Sequence, residues 1–207
     1  MKILKKILKI LSIFIIIFLL FYGGIFIYAK LAPTLPIKSA NSFILYDKDG
    51  QLYNESDSEW VKLKDISSSM IEATISIEDK NFYKHHGFDY LRIIKAMLTN
   101  IKSGEKKQGA STITQQYAKN LFLTFDKNWK RKIEEALLTV RLEAHYSKDE
   151  LLEGYLNTIN YGGVFGIEEA SKYYFGKSSK ELTLAEASIL AGIPKSPSNY
   201  SPISNYD

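Results

Sequence analysis

Cysteine is absent from all 207 residues. Its absence excludes disulfides, thiol nucleophiles and thiolate metal sites, and leaves the redox compartment open. Histidine is scarce: the three present, His85, His86 and His145, are too few for a histidine-rich metal cage. Internal repeats and low-complexity tracts are also missing. The body lacks an excess of charge as well. The net charge of +4 comes from the N-terminus, where Lys2, Lys5, Lys6, Lys9 and Lys30 are the only charged residues before position 31. Taking those five from the 27 basic residues leaves 22 against 23 acidic ones, which gives a nucleic-acid partner no support.

What is present begins with a long apolar run. From Ile10 to Ala29 no charge occurs, and twenty residues at helical rise span roughly 30 Å, the thickness of a bilayer core. Four lysines precede it, so the expected topology is a cytoplasmic tail (1–9), one transmembrane helix (10–29), and an exported remainder. YAKLAP offers no good small-x-small cleavage site, which favours an anchor over a signal peptide. Residues 30–42, with two prolines, read as a linker. At 45% hydrophobic, the rest (43–207) can bury one sizeable core.

FILYDKDGQLY (Phe43 to Tyr53) reads as a hairpin around an Asp49-Gly50 turn, and everything after it reads as helical. Capping boxes are expected at Ser69-x-x-Glu72, Thr112-x-x-Gln115, Ser147-x-x-Glu150 and Thr183-x-x-Glu186. Stops are expected at Gly87, at Gly162-Gly163, and at Gly192 with Pro194 beyond.

IEDKNFYKHHGFD (Ile77 to Asp89) sets two carboxylates side by side. On a helix opening at Ser69, the row Ile71, Ile75, Glu78, Phe82 puts Glu78 on the core face and points Asp79 elsewhere. A carboxylate buried among apolar side chains is tuned for proton transfer. A structural carboxylate would instead be paired, with Lys84, His85 or His86 in reach. GASTITQQYAKN (Gly109 to Asn120) opens a helix with glycine and small hydroxyl residues, a setting that favours an anion such as phosphate. Lys119, Lys127, Lys130, Arg131 and Lys132 follow. A basic run this short is usually a solvated face and a capping box needs no ligand, but the two together suit a diphosphate better than either alone. The next helix, about Lys130 to His145, shows a core stripe of Ile133, Leu137, Val140 and Ala144; Glu135 lies off it but is flanked by Leu138 and Leu142, which makes it a candidate for partial burial. On that segment alone, surface salt bridges explain the charges.

Together these stretches resemble the peptidoglycan glycosyltransferases of family 51, from about Phe43 to Pro202. Glu78, Asp79, Phe82, His85 and Gly87 match the first motif. Gly109, Ser111, Thr112, Thr114, Gln115, Gln116 and Lys119 match the second, and Arg131-Lys132-x-x-Glu135 the third. The stretch from Glu150 (ELLEGYLNTINYGG) is similar to the fourth, and LTLAEASILAGIPKSPSNYSP to the fifth. Five motifs in order are specific where one is weak. The resemblance implies a mainly α, lysozyme-like helical domain whose cleft lies beside the bacterial cell (inner) membrane. It implies polymerisation of lipid II into β-1,4-linked glycan with inversion and release of polyprenyl diphosphate. By similarity Glu78 would be the general base and Glu135 would assist at the donor diphosphate, with no tightly bound cofactor and a magnesium or manganese ion as a candidate aid there. Ser111, Thr112, Gln115, Gln116, Lys119, Lys127, Arg131 and Lys132 would bind substrate; Asp79, Phe82, His85 and Gly87 would support the first motif. Many members carry arginine near Lys127. Partners implied are lipid II, the nascent strand, membrane lipids and other cell-wall synthesis proteins. The chain would be either a monofunctional enzyme or the front of a bifunctional penicillin-binding protein. No Lys-Thr-Gly accompanies the Ser-x-x-Lys at Ser103 to Lys106, so a transpeptidase site is not expected here.

Overall fold

The computed structural model describes residues 2–37, 43–46, 52–56, 59–105, 109–123, 128–196 and 200. It is mainly helical. α1 runs Lys2–Leu31. β1 (Phe43–Tyr46) and β2 (Leu52–Ser56) pair antiparallel, with Phe43 opposite Ser56 and an irregularity between Leu45 and Tyr46. The expected Asp49-Gly50 turn lies outside the described residues. Then come α2 (Ser68–Glu78), α3 (Tyr90–Ser103), α4 (Ile113–Phe122) and α5 (Trp129–His145). α6 (Lys148–Thr158), α7 (Ile167–Phe175) and α8 (Leu184–Gly192) complete the set.

The side chains of α1 at 2–4, 7, 8, 14, 15, 18 and 21 fall outside the description. Among the described residues, no helix is long and apolar enough to cross a membrane. The backbone of α1 is nonetheless continuous over 30 residues, and Ile16, Ile17, Leu19 and Leu20 on it are exposed.

Local chemistry explains the helix starts. Thr112, Ser147 and Thr183 each cap with the partner three residues on, in reciprocal boxes. α2 differs from expectation: Ser67, not Ser69, is its cap, accepting from the Met70 N–H at 3.2 Å. The helix therefore starts two residues earlier. Its buried face is Met70, Thr74 and Glu78, set by packing on α8, while Ile71 and Ile75 are only half-buried. It also stops at Glu78, so Phe82 is buried from a separate 3-10 turn (Phe82–Lys84), and Gly87 ends no helix. Gly162 and Gly163 lie beyond the end of α6, which stops at Thr158.

α4 is the central helix, packed on α5 and α6, while α2 packs on α8 and α1 on α5. The α4–α6 contact is close because Gly154 has no side chain: a Cβ there would lie 2.1 Å from the Tyr117 hydroxyl oxygen. That hydroxyl donates to the Ile37 carbonyl. Similar bonds run from Tyr146 to the Leu35 carbonyl, from Arg141 to that of Pro33 (2.8 Å) and from His145 Nε2 to that of Ala29 (2.9 Å). The chain leaving α1 is thus strapped along the helical body.

Candidate active site

Glu78 is the last residue of α2, and 9% of its surface is exposed. Its Oε2 accepts from Gln116 Nε2 of α4 at 2.6 Å. The Glu78 backbone carbonyl, left free by the helix end, accepts from Arg92 Nη1 of α3. Glu78, Ser111, Gln116 and Lys119 line one cavity of about 410 Å³, together with Arg92 and Lys195. These last two were not singled out in the sequence. Arg92 gives no periodic signal toward Glu78, and Lys195, inside the stretch resembling the fifth motif, comes from the far end of the chain.

Asp79 does not point away from the interior; it is fully buried. Helix α2 ends at Glu78, so the helical spacing used to aim Asp79 outward does not reach it. Its carboxylate lies 3.0 Å from His85 Nε2 through either oxygen and accepts the Ile113 N–H at 3.1 Å. His85 therefore partners Asp79, and Glu78 is left to the cavity. Phe82 packs edge-on to the His85 ring, and Lys148 Nζ sits 4.5 Å from the Phe82 centroid. Gly87, at φ +86°, offers its carbonyl to the Thr112 hydroxyl at 2.7 Å.

The GASTITQQ stretch divides its work. Thr112 and Gln115 are buried and cap α4 reciprocally: Gln115 Oε1 accepts the Thr112 N–H at 3.0 Å and the Thr112 hydroxyl oxygen accepts the Gln115 N–H at 3.2 Å. Thr114 donates to Glu143 at 2.6 Å. Ser111 and Gln116 remain for the cavity.

On α5 the stripe read from the sequence does not form the buried face: Val140 and Ala144 are half-buried and the other two are exposed. Glu135, Thr139 and Leu142 form the buried face, while Ile133 is 61% and Leu137 40% exposed. Glu135 accepts from Arg131 Nη1 at 3.0 Å and from Lys132 Nζ, and Lys132 lies 3.4 Å from the Ser111 hydroxyl. The pairs are more than surface salt bridges, because Glu135 is 2% exposed. Lys119 stands in the field of both carboxylates. Burial pushes its ammonium below the usual lysine range, opposed by Glu135 and, more weakly, Glu78, and reinforced by Arg131 and Lys132. Lys127 lies outside the described residues. Among those described, no three histidine or carboxylate groups converge on a metal position.

This places an embedded carboxylate and Lys119 on the wall of one cavity, and a cation pair tied to a second carboxylate adjoins it through the 3.4 Å contact of Lys132 with Ser111. A family model described as transglycosylase matches residues 47–207. The chain belongs to that family. Relatives carry the same stretch. The chain is 56% identical over 182 residues to penicillin-binding protein 2D of Bacillus subtilis (strain 168), covering 86% of this chain and 26% of that protein. It is 49% identical over 162 residues to penicillin-binding protein 1F of the same organism, covering 78% and 22%. Against penicillin-binding protein 1A of Clostridium botulinum (strain Langeland / NCTC 10281 / Type F) it is 42% identical over 208 residues, covering 94% and 25%. The chain thus spans about a quarter of the length of these curated relatives.

Proposed function

We propose that the chain is a peptidoglycan glycosyltransferase that polymerises lipid II, extending a glycan strand held on polyprenyl diphosphate. The observation that carries this reading is the cavity itself, where Glu78 faces Lys119 beside the Glu135–Arg131–Lys132 cluster. A carboxylate at hydrogen-bond distance can take the proton of the acceptor 4-hydroxyl as its oxygen attacks the donor anomeric carbon. The bond to the diphosphate breaks on the opposite face, so the configuration inverts, as in two-carboxylate inverting glycosidases. The departing diphosphate carries the electron pair, and Lys119, Arg131 and Lys132 are the cations that would neutralise it. Glu135, saturated by two cations, serves by holding them.

A magnesium or manganese ion would fit poorly as a resident group, because Glu135 is already bound by Arg131 and Lys132. No step is assigned to it, and any such ion would have to arrive on the substrate diphosphate.

The same reading makes α1 a single membrane anchor in the bacterial cell membrane, with the lysine-rich tail inside and the catalytic body outside. Its exposed apolar side chains and its strapped exit would hold a lysozyme-like cleft at the height of a lipid-borne substrate. The test is the full chain in detergent with labelled lipid II, products separated by size. Polymer formation that is lost in Glu78→Gln supports the reading; polymer from Glu78→Gln at the wild-type rate removes Glu78 as base.

A further inference from the structure

Tyr155, on α6, is buried to 1% exposure behind the cavity. Burial, then the charge of Glu78, pushes its hydroxyl well above the ordinary phenol range, so it keeps its proton and must donate it. The acceptor is Gln116 Oε1 at 3.4 Å. At the other end of the same amide, Gln116 Nε2 donates to Glu78 Oε2 at 2.6 Å. An amide has one accepting and one donating end. Turned over, Gln116 would set its oxygen against the Glu78 carboxylate and its NH₂ against the Tyr155 hydroxyl. The neighbouring Gln115 cannot substitute, because its amide oxygen is committed to the cap of α4.

We infer that Tyr155 is a positioning residue: by fixing which way the Gln116 amide faces, it holds Glu78 with Oε2 bound and Oε1 left for the acceptor hydroxyl. The inference rests on Glu78 being the base. Other charged or titratable groups facing Glu78 are Arg92 from α3, Lys119 from α4, Tyr161 beyond α6 and Lys195 beyond α8, with Asp79 next in the chain. All of them survive the removal of the Tyr155 hydroxyl, so its effect reports on the amide.

The experiment measures kcat and KM for lipid II against pH in the full chain, in detergent, for wild type, Tyr155→Phe, Gln116→Leu and the double variant. Tyr155→Phe should lower kcat by about fivefold, the scale of one hydrogen bond, with KM little changed. Its acid limb should move to higher pH, because the carboxylate loses a donor that favours its charged form. In the Gln116→Leu background, Tyr155→Phe should add nothing, since the effect passes through the amide. An unmoved acid limb, or the same loss in both backgrounds, would overturn the inference. If Tyr155→Phe fails to fold, Gln116→Leu must show the displaced limb by itself, and an unmoved limb there also overturns it. Glu78→Gln separates the two failures. If that variant polymerises, the base assignment falls and takes the inference with it; if it is inactive while Tyr155→Phe is silent, only the inference falls.

Discussion

The Asp79 carboxylate accepts the backbone N–H of Ile113 at 3.1 Å, joining the end of α2 to the first turn of α4 across 34 positions of sequence. The same carboxylate pairs with His85, and Arg92 Nη1 lies 4.0 Å away. One buried side chain therefore sets the angle between the residue proposed as base and the helix that carries Gln116 and Lys119. Asp79→Ala would leave the Ile113 N–H and His85 without this partner inside the protein. The expected loss is about 3 kcal/mol or more of unfolding free energy in a denaturant titration. A variant of near wild-type stability would show that the network is not what holds the two helices.

Gly87 is expected to resist substitution for two separable reasons. Its φ of +86° strains any L side chain, and a Cβ would lie 2.9 Å from Thr139 Cγ2. Gly87→Ala should cost roughly 1–2 kcal/mol from the backbone alone, with the clash added. Thr139→Ser removes the offending methyl while keeping a hydroxyl for the Glu135 carbonyl, which Thr139 Oγ1 now reaches at 2.7 Å. Thermal melts of Gly87→Ala with and without Thr139→Ser should show partial, not full, recovery. Full recovery would assign the whole effect to the clash.

Local signals were legible and long-range ones were not. The capping boxes at Thr112, Ser147 and Thr183 are complete within four residues, so sequence suffices to place them. Periodicity misled on α5 because it assigns apolar residues inward. Here Ile133 and Leu137 lie on the exposed side, Leu137 sharing a cavity with Tyr28 of α1, whereas the flanking Leu138 and Leu142 do signal that Glu135 turns inward, where it meets its own cations. On α2 the rows Met70–Thr74 and Ile71–Ile75 both reach Glu78 at helical spacing, and apolar content favours the second although packing buries the first. Motif matching found Glu78, Ser111, Gln116 and Lys119 together, yet could not tell that Thr112 and Gln115 would be consumed by a cap. Arg92 and Lys195 reach the cavity only through tertiary packing, which leaves no spacing to read.

The occupancy of Glu135 bears on metal dependence. With Arg131 Nη1 and Lys132 Nζ on its two oxygens, the protein alone should not bind Mg²⁺ or Mn²⁺ tightly. Calorimetric titration of either ion into substrate-free protein is expected to show no saturable binding at micromolar concentration. Tight binding without substrate would mean that Glu135 releases its cations and acts as a ligand.

Lys119 gives a prediction on the alkaline side. Burial favours its neutral form, so it loses its proton at a lower pH than an ordinary lysine, despite the opposing pull of Glu135 and Glu78. If its charge neutralises the departing diphosphate, polymerisation should decline as pH rises toward that lowered value. The ammonium is fully charged below it, so the acid side should be untouched. Lys119→Arg keeps a cation that stays charged throughout. It should lower the rate near neutrality, because a planar fork replaces a compact ammonium, while extending the alkaline limb upward. Lys119→Met, similar in length and uncharged, should remove the alkaline limb along with most of the activity. Should Lys119→Arg keep the wild-type alkaline limb, the titrating group is not Lys119, and the neutralising role passes to Arg131 and Lys132.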